Sequence, residues 1–368
     1  MLLLVPYHGL IFLQGRGDEM PGLDFSVYWL HLWRMGLFFA VSGFLAAMTL
    51  KLWGPSKQVT QRLKRIGIPL VIAMLTVLPM LKVIVFWFQH HNNPGMDLPA
   101  FEYTLGNVYT LEPLHLWFLS YVLLFNLIAV VAWLLIRRVP DITAIAERGF
   151  RRLLGSVLLI PVLAVISAVP LLIGGFGKAP NSVAGSLVPV PAAFAYYGVF
   201  FAFGLMLWKC RDRLDAVEGS PWWKLALSAV ASVLAYLIWT RHLKLPLVLP
   251  IRPTVLVVSG VAAWSTMFAV WGLFAKFLSG ARPWVRYLAD ASYWIYLIHL
   301  PVLVLVQLSL ARTGLPPLLR LGIATTVAIG VALATYALLV RYTRIGNLLH
   351  GPRTRPGKTP AGVVLSHG

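Results

Sequence analysis

The chain has 368 residues, of which 59% are hydrophobic and only 12% charged; a soluble domain carries about 25% charged residues, so a soluble globular fold is excluded, and so many large apolar side chains exclude disorder. Lys and Arg number 31 against 12 Asp and Glu, a formal charge of +19, but the basic residues gather between apolar runs, as in membrane proteins, so no nucleic-acid role is expected. The single cysteine, Cys210, excludes an intrachain disulfide and leaves no Cys-based metal site to expect.

Taken in chain order, apolar runs predict helices over residues 1–14, 27–52, 66–88, 114–136, 153–174, 193–208, 222–240, 254–278, 287–309 and 319–341. The runs are continuous rather than alternating, so the predicted fold is an all-α, polytopic transmembrane helical bundle of about ten transmembrane helices, not a barrel. The first run is shorter than the roughly 20 residues a crossing needs, so the first helix is expected to lack its start. No positively charged n-region or small-residue cleavage site marks a signal peptide. A transmembrane domain is expected over 1–345, followed by a disordered tail over 346–368 that carries Pro352, Pro356 and Pro360. No internal repeat is evident.

The loops sort by charge in strict alternation. One set, from Lys51–Arg65 through Arg137–Arg152, Lys209–Lys224, Lys276–Arg286 and Arg341–Lys358, holds 22 basic residues, and the other set holds six. Basic loops stay on the cytoplasmic side, so both termini are expected there. The opposite loops, 15–26 and 89–113, carry Asp18, Glu19, Asp24, Glu102 and Glu112, while 175–192 is rich in Gly, Pro and Ser. Trp53, Trp222, Trp223, Trp284 and Tyr342 stand near span ends, where interfacial aromatics belong.

Charged and imidazole side chains inside spans are costly and are candidate functional groups. His8 lies in the first run; it is either a neutral histidine bonded to a neighbouring helix or a general base. On the second run His31 and Arg34 are three apart, and Arg34, Phe38 and Ser42 share a face. Arg34 either pairs with a loop carboxylate such as Asp18 or Glu19 or forms a charged wall of a cavity. Arg62 and Arg65, at helical spacing, suit a phosphate or pyrophosphate, or anionic lipid headgroups. His115, Trp117 and Tyr121 open the fourth run, and Ser292, Tyr296 and His299 share a face of the ninth; they form interhelical hydrogen bonds or line a common cavity. GxxxxGK[ST], GxGxxG, HExxH and GxSxG patterns are absent. His90-His91 is a weak metal cue, so no metal is expected.

In order and spacing these elements resemble the acyltransferase-3 family of integral membrane acyltransferases. Phe38-Phe39-Ala40-Val41-Ser42-Gly43-Phe44 is similar to its FFxxSGF helix, and Arg62-Leu63-Lys64-Arg65 followed by Pro69 to its RxxR element. His115-Leu116-Trp117-Phe118 and the Ser292–Pro301 stretch are similar to its middle and late signatures. The Trp33-Arg34 step resembles the glucan biosynthesis protein C branch, which acylates periplasmic glucans. The resemblance covers nearly the whole chain. It implies a bacterial cytoplasmic-membrane enzyme that moves an acetyl or succinyl group from acyl-coenzyme A to a hydroxyl of an extracytoplasmic glycan, with no permanently bound cofactor. It implies His8 as the catalytic base and Arg62 and Arg65 as the donor-phosphate site. It suggests Arg34, Ser42, Trp117, Tyr296 and His299 as substrate-cavity residues. The family's arginine eleven residues before the histidine would fall before Met1. A solute transporter and a catalytically impaired relative of the acyltransferases are the rival readings.

Overall fold

A computed structural model of the chain describes residues 2–15, 22–88, 113–176, 187–242, 251–280 and 282–351. Among these residues the secondary structure is helical, with no strands. The helices are α1 (Leu4–Gly15), α2 (Leu23–Arg62), α3 (Ile68–Trp87), α4 (Trp117–Ile136), α5 (Pro140–Leu154), α6 (Leu159–Ile173) and α7 (Pro191–Lys209). There follow α8 (Asp215–Glu218), α9 (Pro221–His242), α10 (Ile251–Leu278), α11 (Pro283–Ser309), α12 (Pro317–Thr335) and α13 (Arg344–His350). Each of the ten apolar runs is a helix, so the chain is an all-α polytopic membrane protein.

Among the described residues seven helical stretches are long and apolar enough to cross a membrane, against about ten expected. The difference has three sources. Leu23–Trp87 runs on as one 65-residue helical stretch, which counts once although it contains both α2 and α3. The other two are α1, with 12 residues, and α6, with 15, which fall short of a full crossing. The break within the long stretch is local. Gly54 adopts φ 76°, a left-handed conformation that glycine alone takes without cost, and Pro55 supplies no amide hydrogen to the turn before it. Five-residue π-helical turns follow α2 at Leu63–Gly67 and α12 at Tyr336–Val340.

Two parts of the chain depart from the sequence reading. Residues 140–152, read as loop, belong to α5, an amphipathic helix whose Ile142 and Ile145 are exposed beside Arg148, Arg151 and Arg152, the pattern of a helix lying in the headgroup region. The chain also stays helical past residue 345, to His350 in α13.

The chain divides into two compact units. The first is discontinuous, built from residues 1–16, 64–108 and 283–368. In it α11 packs against α1, α3 and α12, and α1 also packs on α12. The second comprises 17–63 and 109–282. Its α2 packs on α7, α4 and α10, and α10 on α9 and α6. Lipid gives helices little hydrophobic reason to associate, so close packing must hold them. In the second unit Phe39 is the hub of that packing, with the rings of Trp117, Phe118, Tyr121, Phe125 and Tyr197 at 4.8–6.4 Å; such aromatic pairs contribute about 0.5–1.5 kcal/mol each. Outward faces stay apolar, as on α3, where Ile68, Val71, Ile72 and Leu75 are exposed in the i, i+3, i+4, i+7 pattern that lipid covers.

Candidate functional site

In the first unit α1 and α11 bring two histidines together. His8 Nδ1 lies 2.8 Å from His299 Nε2, and the rings are nearly parallel, 10° apart, with centroids 5.0 Å from each other. His299 is fully buried and His8 half-buried. The tautomers follow from the partners. His299 Nδ1 sits 2.9 Å from the Tyr296 carbonyl oxygen and 3.1 Å from that of Ile295. Carbonyl oxygens only accept, so Nδ1 of His299 carries the proton and its Nε2 keeps the lone pair. His8 Nδ1–H therefore donates to His299 Nε2, and the basic lone pair of His8 is on Nε2. A neutral histidine held with a defined basic nitrogen is what general-base chemistry requires. Pro301, two residues beyond His299, supplies no amide hydrogen for its turn of α11.

Of the other residues singled out from sequence, Tyr296 and Arg65 share this unit. Tyr296 is buried, its ring centroid 6.4 Å from that of His299. Arg65 lies in the first π-helical turn, and its carbonyl accepts a 3.0 Å hydrogen bond from Tyr293 Oη. Tyr293 precedes His299 by six residues on α11, roughly 9 Å along the helix axis.

Arg62, Arg34, Ser42 and Trp117 belong to the second unit. Arg62 folds back over the Gly54–Pro55 break and donates from Nη2 to Thr49 Oγ1 at 3.1 Å. Arg34 is buried on α2 and Ser42 is half-buried on the same helix. Trp117 packs within the aromatic hub around Phe39, 5.1 Å from Tyr121 and 5.3 Å from Tyr197. His115, also buried, lies in a short 3-10 turn ahead of α4. Asp18, Glu19, His90, His91, Glu102 and Glu112 lie outside the described residues.

The sequence reading passed over several buried polar residues: Gln58, hydrogen-bonded through Nε2 to Asn126 Oδ1 at 3.2 Å, Lys82 on α3, and Gln307 and Arg320 on α11 and α12. The signal that finds them is the one applied to histidine, a polar side chain within an apolar helix.

A family model, the acyltransferase domain of the acyltransferase-3 family, matches residues 1–337. The chain belongs to that family. No curated protein and no solved structure matches it. The family is one of membrane acyltransferases, and the features that resembled it can now be given physical reasons in this acyltransferase-3 chain. The glycine of Ser42-Gly43-Phe44 is a packing requirement: a Cβ at Gly43 would run into the backbone carbonyl of Phe201 on α7, and a Cβ at Gly204 into that of Ala40 on α2. The two helices touch backbone to backbone, which only small residues permit. The second Phe of the motif, Phe39, is the aromatic hub, and the first, Phe38, contacts Phe118 at 5.9 Å. The late signature, Ser292 to Pro301, supplies both Tyr293, the partner of Arg65, and His299, the partner of His8.

Proposed function

We propose that this chain is an O-acyltransferase that transfers an acetyl or succinyl group from acyl-coenzyme A to a hydroxyl of an extracytoplasmic glycan, a glucan being the acceptor that the Trp33-Arg34 resemblance favours. The observation that carries the reading is the 2.8 Å contact between His8 and His299, with its proton on His8 Nδ1. His8 Nε2 takes the proton of the acceptor hydroxyl as its oxygen attacks the thioester carbonyl. The C–S bond then breaks, and His8 returns that proton to the departing thiolate. His299 holds the ring in the competent tautomer and stabilises the imidazolium through the same hydrogen bond.

The donor enters from the basic, cytoplasmic side, where Arg65, in the same unit as the histidine pair, meets its phosphates and charge-assisted hydrogen bonds favour an arginine. The acceptor comes from the opposite side. The lipid bilayer, acyl-coenzyme A and the glycan are the partners, and a bacterial cytoplasmic membrane with both termini inside is the setting that the charge asymmetry suits.

The test is transfer itself. Membranes containing the protein are incubated with labelled acetyl- or succinyl-coenzyme A and cell-envelope glycan. Label should appear in the glycan, and His8→Ala should abolish it at an equal level of protein in the membrane. Undiminished labelling in His8→Ala would sink the mechanism. Arg65→Ala should raise the donor KM about tenfold with little change in acceptor KM.

A further inference from the structure

Two turns beyond His299, α11 carries Gln307. Its side chain is fully buried, and among the described residues neither Oε1 nor Nε2 has a hydrogen-bond partner. Leaving a buried polar group unpaired costs about 1–3 kcal/mol, and such orphans mark places where something other than the protein completes the pairing. The amide lies against the residue that follows His8 on α1. His299, Leu303 and Gln307 follow at four-residue steps, and Leu303 and Gln307 meet α1 at Gly9, the residue after His8: a Cβ there would lie 3.5 Å from Gln307 Nε2 and 3.7 Å from Leu303 Cδ1.

A second orphan lies on the other helix that flanks α1. Leu321 of α12 also abuts Gly9, and four residues on, the Thr325 hydroxyl is buried with no partner among the described residues. Thr49, Thr60, Thr76, Thr335 and Thr343 all return their hydroxyls to a carbonyl of the preceding turn; Thr325 does not.

α1 and α11 both advance from the histidine pair toward Gly9 and Gln307, so the amide lies on the side of residues 310–316. The charge asymmetry assigns that loop to the exterior, the acceptor's side. A carboxamide complements a hydroxyl in both senses, since Nε2–H donates to the oxygen and Oε1 accepts the proton. We propose that Gln307 binds a hydroxyl of the acceptor sugar adjacent to the one that attacks, so that the amide orients the sugar against His8. The proposal rests on the glycan-acyltransferase reading.

The experiment uses membranes of the full chain, labelled acetyl-coenzyme A, and neutral gluco-oligosaccharides as the acceptor probe. Gln307→Leu, which deletes both polar atoms at similar volume, should raise the acceptor KM about tenfold while the donor KM stays within twofold. Gln307→Asn, which keeps both atoms one methylene back, should recover part of the loss. An unchanged acceptor KM, or equal rises in donor and acceptor KM, would overturn the proposal. Thermal stabilisation of the detergent-solubilised protein by the same oligosaccharides gives a readout free of catalysis: the wild type should shift and Gln307→Leu should not. A wild type that shifts but transfers no label refutes the acyl-transfer reading and leaves the binding assignment standing. Transfer with identical acceptor dependence in both proteins does the reverse, and a wild type that does not shift overturns the assignment.

Discussion

In the proposed mechanism His299 acts on the reacting atoms only through His8, so its contribution should appear in turnover rather than in binding. His299→Phe removes the acceptor for His8 Nδ1–H and frees the ring to adopt the wrong tautomer. We expect kcat to fall by about 10²-fold, at the low end of what a proton-transfer group supplies, with both KM values within twofold. His299→Gln, whose Oε1 can accept from Nδ1–H, should restore part of the rate. A uniform loss of protein from the membrane in both variants would instead mark His299 as structural. Each histidine could be found in the sequence by the cost of an imidazole in lipid, but their pairing could not, because the partners are 291 residues apart and the tautomer depends on carbonyls that only the folded helix presents. Trp117 shows another limit: its position in a signature beside His115 marked it out, but its packing into the Phe39 hub could be read only from the folded helices. Gln307 escaped notice because an uncharged amide hardly interrupts an apolar run.

Helices meet through their smallest residues, and that fixes where substitution is least tolerated. Gly43→Ala should force α2 away from α7, because the obstacle is the Phe201 backbone and cannot rotate aside; overpacking of this kind costs about 1–3 kcal/mol or more. A lowered midpoint in detergent unfolding, with activity falling in parallel, is the expected result, and an unchanged midpoint would refute the backbone contact. The amphipathic α5 was legible in principle, since Ile142 and Ile145 recur at helical spacing among charges, but the count of basic residues drew the segment into a loop. Its tie to the stretch after α7 is ionic. Arg151 Nη1 lies 2.6 Å from Asp212 Oδ2, and this hydrogen bond holds the Asp212 carboxyl below the usual carboxylate range. A lowered carboxyl contributes stability above its unfolded value, about 3.9, and loses it as pH falls through the depressed value. A spin label on α5 should therefore gain mobility only below about pH 4 in the wild type, and at every pH in Asp212→Asn; a label insensitive to both changes would show that the pair does not hold α5.

For the molecule as a whole, orientation can be read from labelling. Cys210 is fully buried and is the one cysteine in the chain, so a Cys210→Ser background accepts reporters singly. Arg148→Cys should resist a membrane-impermeant thiol reagent applied from outside, and Arg312→Cys should react; the reverse pattern would invert the topology. The helical class was legible because unbroken apolar runs leave lipid no other way to satisfy the backbone. The division into two units was not, since nothing in the order of apolar runs says that α1 packs with α11 and α12 rather than with its immediate successors. That discontinuity has a consequence for synthesis. Ribosomes add about 5–20 residues per second, so α1 waits on the order of 15–60 s in the bilayer before the segment bearing His299 emerges. A nascent chain arrested before α11 therefore holds His8 without the contact that fixes its proton, and that contact forms only when α11 and α12 dock on α1.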